Sequence, residues 1–304
     1  MQSSLVASVP GSKSGERWVM GDFHIHSSYS GGSLTPSQIL RIAQTQFLDV
    51  IALSDHFETR GAQEGLKLIA ADSHLPMLIT SQEISLGDHF HFLIIHGITR
   101  SWEDIPRNRY LTKFAEHHQQ GGAVILAHPW TMPKSSWARG FFTELVAQNL
   151  VDAVELLNAS ILQLGPDSLS RIQSFWEEWV LPNQLGIVGG SDFHYHHQGR
   201  YLGSGRTYLK VRRPGEKGII EALVARRCVA GLFGSCCFDL GWLGKGNAVI
   251  FGAEPWRNEL QRLIGELRSE IAQSRFLKSN LRQYLWRLME GGNYQMVREL
   301  LAQL

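Results

Sequence analysis

The residues best suited to chemistry are the histidines, 13 in a chain of 304 residues, and their spacing is more telling than their number. His24 and His26 are two apart, so on an extended strand both imidazoles project from one face and can share a metal ion. Asp192 and His194 repeat that spacing far later in the chain. Between them, His56, Glu83 and His128 each follow a short apolar run. His91 heads another run, with His89 two positions earlier on the same face. Six imidazoles and two carboxylates exceed the needs of one ion, and mixed nitrogen and oxygen ligation suits Zn, Mn or Fe better than Mg or Ca. Two divalent ions, or three, are therefore expected.

The elements that must position these groups are legible as runs. Val50–Leu53, Met77–Ile79, Phe92–Ile95, Ala123–Leu126, Val151–Leu157 and Gly186–Val188 have the continuous apolar character of buried parallel strands. Helical spacing separates most of them, beginning at Thr35-Pro36 with Ile39, Leu40 and Ala43 on one face, and recurring at 61–72, 108–120 and 168–180. Alternating strand and helix predicts an α/β fold with a parallel sheet closed into a barrel. The ligand-type residues stand where the runs stop, and the carboxyl ends of barrel strands converge on one rim. The barrel is assigned to residues 18–252. From 253 to 304 the strand runs give way to a helical extension, with Leu260, Leu263, Ile264, Leu267 and Ile271 and then Leu281, Leu285 and Leu288 at helical spacing. This extension is expected to pack on the barrel or on a second copy of the chain. Its arginines alternate with Glu259, Glu266 and Glu270, the pattern of a solvated face.

Composition narrows the function. With 29 Lys+Arg against 28 Asp+Glu the net charge is +1, so no global field draws the chain to nucleic acid or an anionic membrane. The first eighteen residues lack the apolar core of a secretory signal, no run reaches a membrane span, and a cytoplasmic protein is expected. Cys228, Cys236 and Cys237 show no paired zinc spacing and are read as reduced packing residues.

The segments GDFHIHSSYSGGSLTP, VIALSDH, QEIS, HFLIIHG, AVILAHPW, VDAVELLN, IVGGSDFH and GSGRTYL, in that order over residues 18–234, resemble the motifs of the PHP (polymerase and histidinol phosphatase) superfamily. The resemblance implies a distorted (β/α)7 barrel with a two- or three-metal centre that acts on phosphate esters. It implies that His24, His26 and Asp192 hold a first metal, that Glu83 bridges to a second held by His91 and His128, and that His56 and His194 belong to a third site. Members of the family commonly place an acid or a histidine a few residues after the first pair. Here Gly31 occupies that position, so the third site lacks a ligand.

The resulting expectation is a metal-dependent phosphoesterase. Two ions bridged by Glu83 would hold a hydroxide at neutral pH, and His194 or His56 would protonate the leaving alcohol. Arg60 and Arg206, with Lys134 and Arg139 behind them, are the candidates for a phosphate clamp. The expected partner is a small phosphorylated substrate: a nucleotide, a short oligonucleotide, or a sugar or amino-alcohol phosphate. Asp55 is read as a support for the ligands, and Glu155 and Asn158 match a family motif. His74, His96, His117, His118, His196 and His197 are read as hydrogen-bonded core residues. Two alternatives are an amidohydrolase-type barrel, which would need a bridging lysine, and a non-catalytic regulatory module.

Overall fold

The computed structural model describes residues 15–87, 90–160, 168–195, 201–232, 249–274, 277–290 and 292–303. Strands β1 (Arg17–Ile25), β2 (Val50–Leu53), β3 (Met77–Ser85), β4 (His91–Ile95), β5 (Ala123–Leu126), β6 (Ala153–Asn158), β7 (Gly186–Gly190), β8 (Gly205–Val211), β9 (Cys228–Leu232) and β10 (Val249–Gly252) form one sheet. Its order is β10-β9-β8-β1-β2-β3-β4-β5-β6-β7. The segment after β7 returns to β1, where the His26 amide donates to the Phe193 carbonyl at 2.8 Å. Helices α1 (Pro36–Thr45), α2 (Arg60–Ala71), α3 (Tyr110–Gln119), α4 (Ser136–Ala147), α5 (Ser168–Phe175), α6 (Leu181–Asn183) and α7 (Glu216–Val224) intervene. The chain then runs through α8 (Glu254–Gln273), α9 (Ser279–Glu290) and α10 (Tyr294–Leu301).

Local sequence explains the first helix. Thr35 caps α1, the Gln38 side chain completes a capping box, Pro36 opens the first turn, and Ile39, Leu40 and Ala43 are buried. Strand β2 reads Val-Ile-Ala-Leu and is buried throughout, as expected of a strand covered on both faces.

The sheet is mixed rather than parallel. β1–β2–β3 and β5–β6–β7 pair in parallel, whereas β4 is antiparallel to both β3 and β5. β8, β9 and β10, which the apolar runs did not single out, add antiparallel pairs beside β1. An apolar run records burial on both faces but not direction, because parallel and antiparallel partners bury the same side chains. The helix expected at 168–180 ends as α helix at Phe175 and continues as a wider turn over Trp176–Val180.

Three apolar layers hold the elements. Val19, Phe23, Val50, Ile79, Leu93, Ile125 and Val188 fill the barrel. Phe92, Phe114 and Phe142 pack the side under α3 and α4. Leu260, Leu263 and Leu267 of α8 share a core with Trp18, Met20, Tyr208 and Val229 of the sheet. Each such fully buried leucine stabilises the assembly by about 1.5–3 kcal/mol, so the C-terminal helices are docked on the barrel wall. No helix of the described residues is long and apolar enough to cross a membrane.

Candidate metal centre

The parallel strands bring their ligand-type residues to one rim: His24 and His26 from β1, His56 beyond β2, Glu83 from the end of β3, His128 beyond β5, and Asp192 and His194 beyond β7. His91 reaches the same rim by the opposite route. It is the first residue of β4 and pairs with Ser85, so the reversed direction puts its amino end where the other strands end. All eight residues read from the sequence come together, in overlapping groups whose nitrogen and oxygen atoms lie within 4.8 Å of one another.

Glu83 is the hub. Its Oε2 lies 3.2 Å from His24 Nε2, 3.1 Å from His26 Nε2 and 3.3 Å from His56 Nδ1. Its Oε1 lies 2.7 Å from His91 Nδ1 and 3.2 Å from His128 Nε2. One carboxylate thus presents each oxygen to a different set of imidazoles. Asp192 Oδ1 stands 3.4 Å from His24 Nε2 and 3.6 Å from His26 Nε2.

Four of the rings are oriented by a hydrogen bond at Nδ1. His24 Nδ1 faces Glu155 at 3.0 Å. His26 Nδ1 faces Ser30 Oγ at 3.3 Å, and that hydroxyl spends its proton on Asp55 Oδ1 at 3.0 Å, so it accepts from the ring. His128 Nδ1 faces Thr131 Oγ1 at 2.8 Å, whose proton goes to the His128 carbonyl. His194 Nδ1 donates to the Asp192 carbonyl at 3.1 Å. In all four the hydrogen-bonding logic assigns a proton to Nδ1 and turns Nε2 toward the cluster, where it can ligate an ion. His26 Nε2 is fully buried and makes no hydrogen bond, since its approach to Glu83 lacks the geometry of one. A buried ring nitrogen left without a partner among carboxylates and other imidazoles is costly, and a divalent cation is a group that satisfies it. The donor set fits a metal.

Electrostatics agree with a site short of positive charge. Burial alone would depress the His24 pKa, but Glu155, Glu83 and Asp192 outweigh it and hold the ring well above the ordinary histidine value. Burial likewise acts to raise the Glu83 and Asp192 pKa values, yet the surrounding imidazoles, His24 foremost, hold both below the usual carboxylate range. His56, with fewer acids around it, is pushed down to about 4 by burial. Two ligand-type residues also carry positive φ, His128 at 25° and Asp192 at 49°. Such backbone costs on the order of 1–3 kcal/mol per residue and is retained where the surroundings over-determine it.

The residues expected to clamp phosphate are placed differently. Arg206 is 4% exposed, and its guanidinium reaches the Gly203 carbonyl, Met20 Sδ and Gln46 Oε1, so it is committed to the barrel wall. Arg139 pairs with Glu178, and Lys134 is exposed. Arg60 lies near the rim but is paired with Glu58 at 2.5 Å and stacked over Tyr29. Sequence reasoning missed Arg107. Its guanidinium lies 3.3 Å from the centroid of the Trp137 ring and close to Gly87, at the turn that leads into His91.

The remaining residues surround this cluster or stand apart from it. Asp55 accepts from the Ser27 amide and hydroxyl, both at 2.7 Å, and so ties down the loop after His26. Gly31 has φ +83°, and a Cβ there would lie 3.6 Å from His194 Cδ2, so the position faces the group formed by His26, His56 and His194. His117 is a core residue bonded to the Ile95 carbonyl. His118 pairs with Asp152, and His96 pairs with Glu216 at the surface. His74, expected in the core, is exposed because it follows α2 in a surface turn. Cys228 is a free buried thiol. His89, His196, His197, Cys236 and Cys237 lie outside the described residues.

No family model matches the chain. Over 151 residues, 45% of its length, it is 29% identical to an uncharacterized protein of Methanocaldococcus jannaschii, of which the match covers 81%. PsfC from Pseudomonas syringae is a more distant structural neighbour, with TM-score 0.46 and 17% identity over 69% of this chain and 90% of that one. A nearer one is a two-domain protein from Bacteroides vulgatus containing a predicted PHP-like metal-dependent phosphoesterase, with TM-score 0.54 and 22% identity over 71% of this chain. The fold is that of a PHP-type barrel. The match spans 65% of the two-domain protein's length, so the likeness covers only part of that molecule. In this PHP-type barrel the histidine cluster occupies the open rim.

Proposed function

We propose that the chain is a PHP-superfamily hydrolase that cleaves a phosphate ester with two divalent metal ions, Zn, Mn or Fe. The observation that carries this reading is the division of Glu83, whose Oε2 faces His24, His26 and His56 while its Oε1 faces His91 and His128. His24, His26 and Asp192 would complete the first ion's ligands, and His91 and His128 the second's. Ions held there would supply Lewis acidity toward phosphoryl oxygens and would make water nucleophilic near neutral pH.

The chain's own residues do the rest. His56 and His194 are the more exposed imidazoles of the cluster, with side chains 38% and 26% accessible, so they face an incoming substrate. Because His194 Nδ1 donates to the Asp192 carbonyl, its Nε2 is the atom that would take up a second proton from solvent and pass it to the departing alkoxide. Arg107, whose guanidinium meets Trp137 and no carboxylate among the described residues, is suited to an anionic group on the substrate's distal side. An amidohydrolase-type centre would need a bridging lysine, and among the described residues the part-buried Lys113 and Lys210 are paired with Glu116 and Glu259 away from the cluster. Two buried carboxylates, Glu83 and Asp192, among six imidazoles argue against a purely structural module.

The test is metal analysis of the purified protein joined to a generic phosphomonoester assay. About two transition-metal ions per chain are expected, with activity lost to a chelator and restored by Mn or Zn. Turnover by protein shown to be free of metal would overturn the proposal.

A further inference from the structure

We infer that Glu155 is a positioning residue: it sets which nitrogen of His24 faces the cluster and, with the same carboxylate, holds the backbone of His128. The inference rests on the metal reading above. Glu155 lies on β6, fully buried, on the far side of the His24 ring from Glu83. Both of its oxygens stand 3.0 Å from His24 Nδ1. Its Oε2 also accepts from the His128 amide at 3.0 Å and from Asn158 Nδ2 at 2.8 Å. The Asn158 amide cannot turn to offer its oxygen instead, because that oxygen accepts from the Ser160 amide at 2.7 Å.

Glu155 therefore faces three donors, two of them at Oε2 and His24 Nδ1 equidistant from both oxygens, an arrangement that suits a carboxylate, since both of its oxygens accept and neither carries a proton. Holding the proton on His24 Nδ1 leaves the Nε2 lone pair directed at Glu83 and Asp192 and raises the ring's basicity as a ligand. The bond to the His128 amide steadies a residue at φ 25°, and His128 presents its own Nε2 to Glu83. One side chain thus supports a ligand of each proposed ion. Space is reserved for it: a Cβ on Gly190 would lie 2.0 Å from Glu155 Oε1 and 2.8 Å from His24 Cβ, so β7 passes with glycine at this point.

The isosteric substitution Glu155→Gln separates positioning from bulk. Its NH2 must point at His24 Nδ1, the His128 amide or Asn158 Nδ2. The arrangement that relieves most strain gives the proton of His24 to Nε2, with Nδ1 accepting from the glutamine. A ring in that state has no lone pair for the cluster.

The experiment measures zinc binding by calorimetry and zinc content after dialysis for the wild-type chain, Glu155→Gln and Glu155→Asp, with circular dichroism to verify folding. It is joined to histidine-selective 15N NMR of the zinc-loaded wild-type protein. The expected results are a 10- to 100-fold weaker zinc affinity in Glu155→Gln, a smaller loss in Glu155→Asp, and an exchange-protected proton on His24 Nδ1 in the wild type. Zinc affinity in Glu155→Gln within twofold of wild type overturns the inference and leaves the metal reading standing. An unprotonated His24 Nδ1 in the zinc-loaded wild type overturns it as well, and this measurement does not depend on the variants folding. Failure of the wild-type chain to take up zinc removes the metal reading and this inference with it.

Discussion

The two ends of the barrel both bury titratable side chains, and they do so on opposite principles. At the amino ends of the parallel strands, the exposed carboxylate of Asp49 accepts from the Met20 amide at 2.8 Å, and buried groups act in the same way. There too Asp152 accepts from the Val124 amide at 2.8 Å, and His117 bonds to the Ile95 carbonyl at 3.0 Å. These groups spend their hydrogen-bonding capacity chiefly on backbone, with the His118 ring added at Asp152, and so fasten strand ends and a helix. At the carboxyl ends, Glu83 and Asp192 face imidazole nitrogens, and the rings are braced from outside by Glu155, Ser30 and Thr131. Burial alone does not distinguish a site from a structural contact. What distinguishes it is whether the lone pairs are consumed by the fold or left converging on a common point.

The strongest challenge to this contrast is Glu83→Gln. A neutral amide cannot offer an accepting oxygen to both imidazole sets, so loss of one ion and a fall in turnover of about a thousandfold or more are expected. Metal analysis and kcat measure it. A variant that keeps both would erase the difference between the ends.

His117→Ala should act on stability and not on chemistry. It removes a ring packed edge-on against Trp102 together with its bond to the Ile95 carbonyl, which together cost about 3 kcal/mol. Denaturant unfolding should show that loss while kcat per metal-loaded molecule is unchanged. A matching fall in kcat would mean that the two ends are coupled.

His117 also offers a pH test of the structural end. Burial pushes its imidazole from 6.5 down to about 4, so the unfolded chain holds this proton more tightly than the folded one. Its contribution to stability is fully present above about pH 6.5 and is lost as pH falls through about 4, an effect of about 3 kcal/mol. The stability difference between wild type and His117→Ala should therefore shrink as pH falls from 7 to 4. Parallel stability curves for the two proteins would show that His117 does not titrate in this window.

Gly31→Asp sharpens the site end. A carboxylate there would face His194 and complete the group of His26, His56 and His194, at a cost of about 1 kcal/mol for a side chain at positive φ. Tighter binding of an additional ion, by about tenfold, is expected in elemental analysis and calorimetry. Unchanged stoichiometry and affinity in folded protein would show that position 31 does not reach a metal.

The smallest expected effect belongs to Arg107→Ala. Removing a remote anion-binding group from the rim should raise KM by about tenfold or less, with kcat preserved. An equal fall in kcat would place Arg107 in the chemistry itself.

Much of the candidate site is legible in the order of the residues alone. The His24–His26 and Asp192–His194 pairs follow from the two-residue period of a strand. The gathering of His56, Glu83 and His128 follows from the rule that barrel strands end on one rim. The docked face of α8 is readable from Leu260, Leu263 and Leu267 for the same kind of reason, a period of 3.6. These are local regularities, and the chain carries them in its order. The direction of β4, and with it the way His91 reaches the rim, required the pairing of β3 with β4. The retreat of Arg206 into the wall, the stacking of Arg107 on Trp137, and the joining of His24 and His128 by Glu155 required neighbours far away along the chain. A residue's type fixes what it can donate, accept or ligate, but its partner is chosen by whichever distant backbone the fold brings within about 3 Å, and no local pattern encodes that choice.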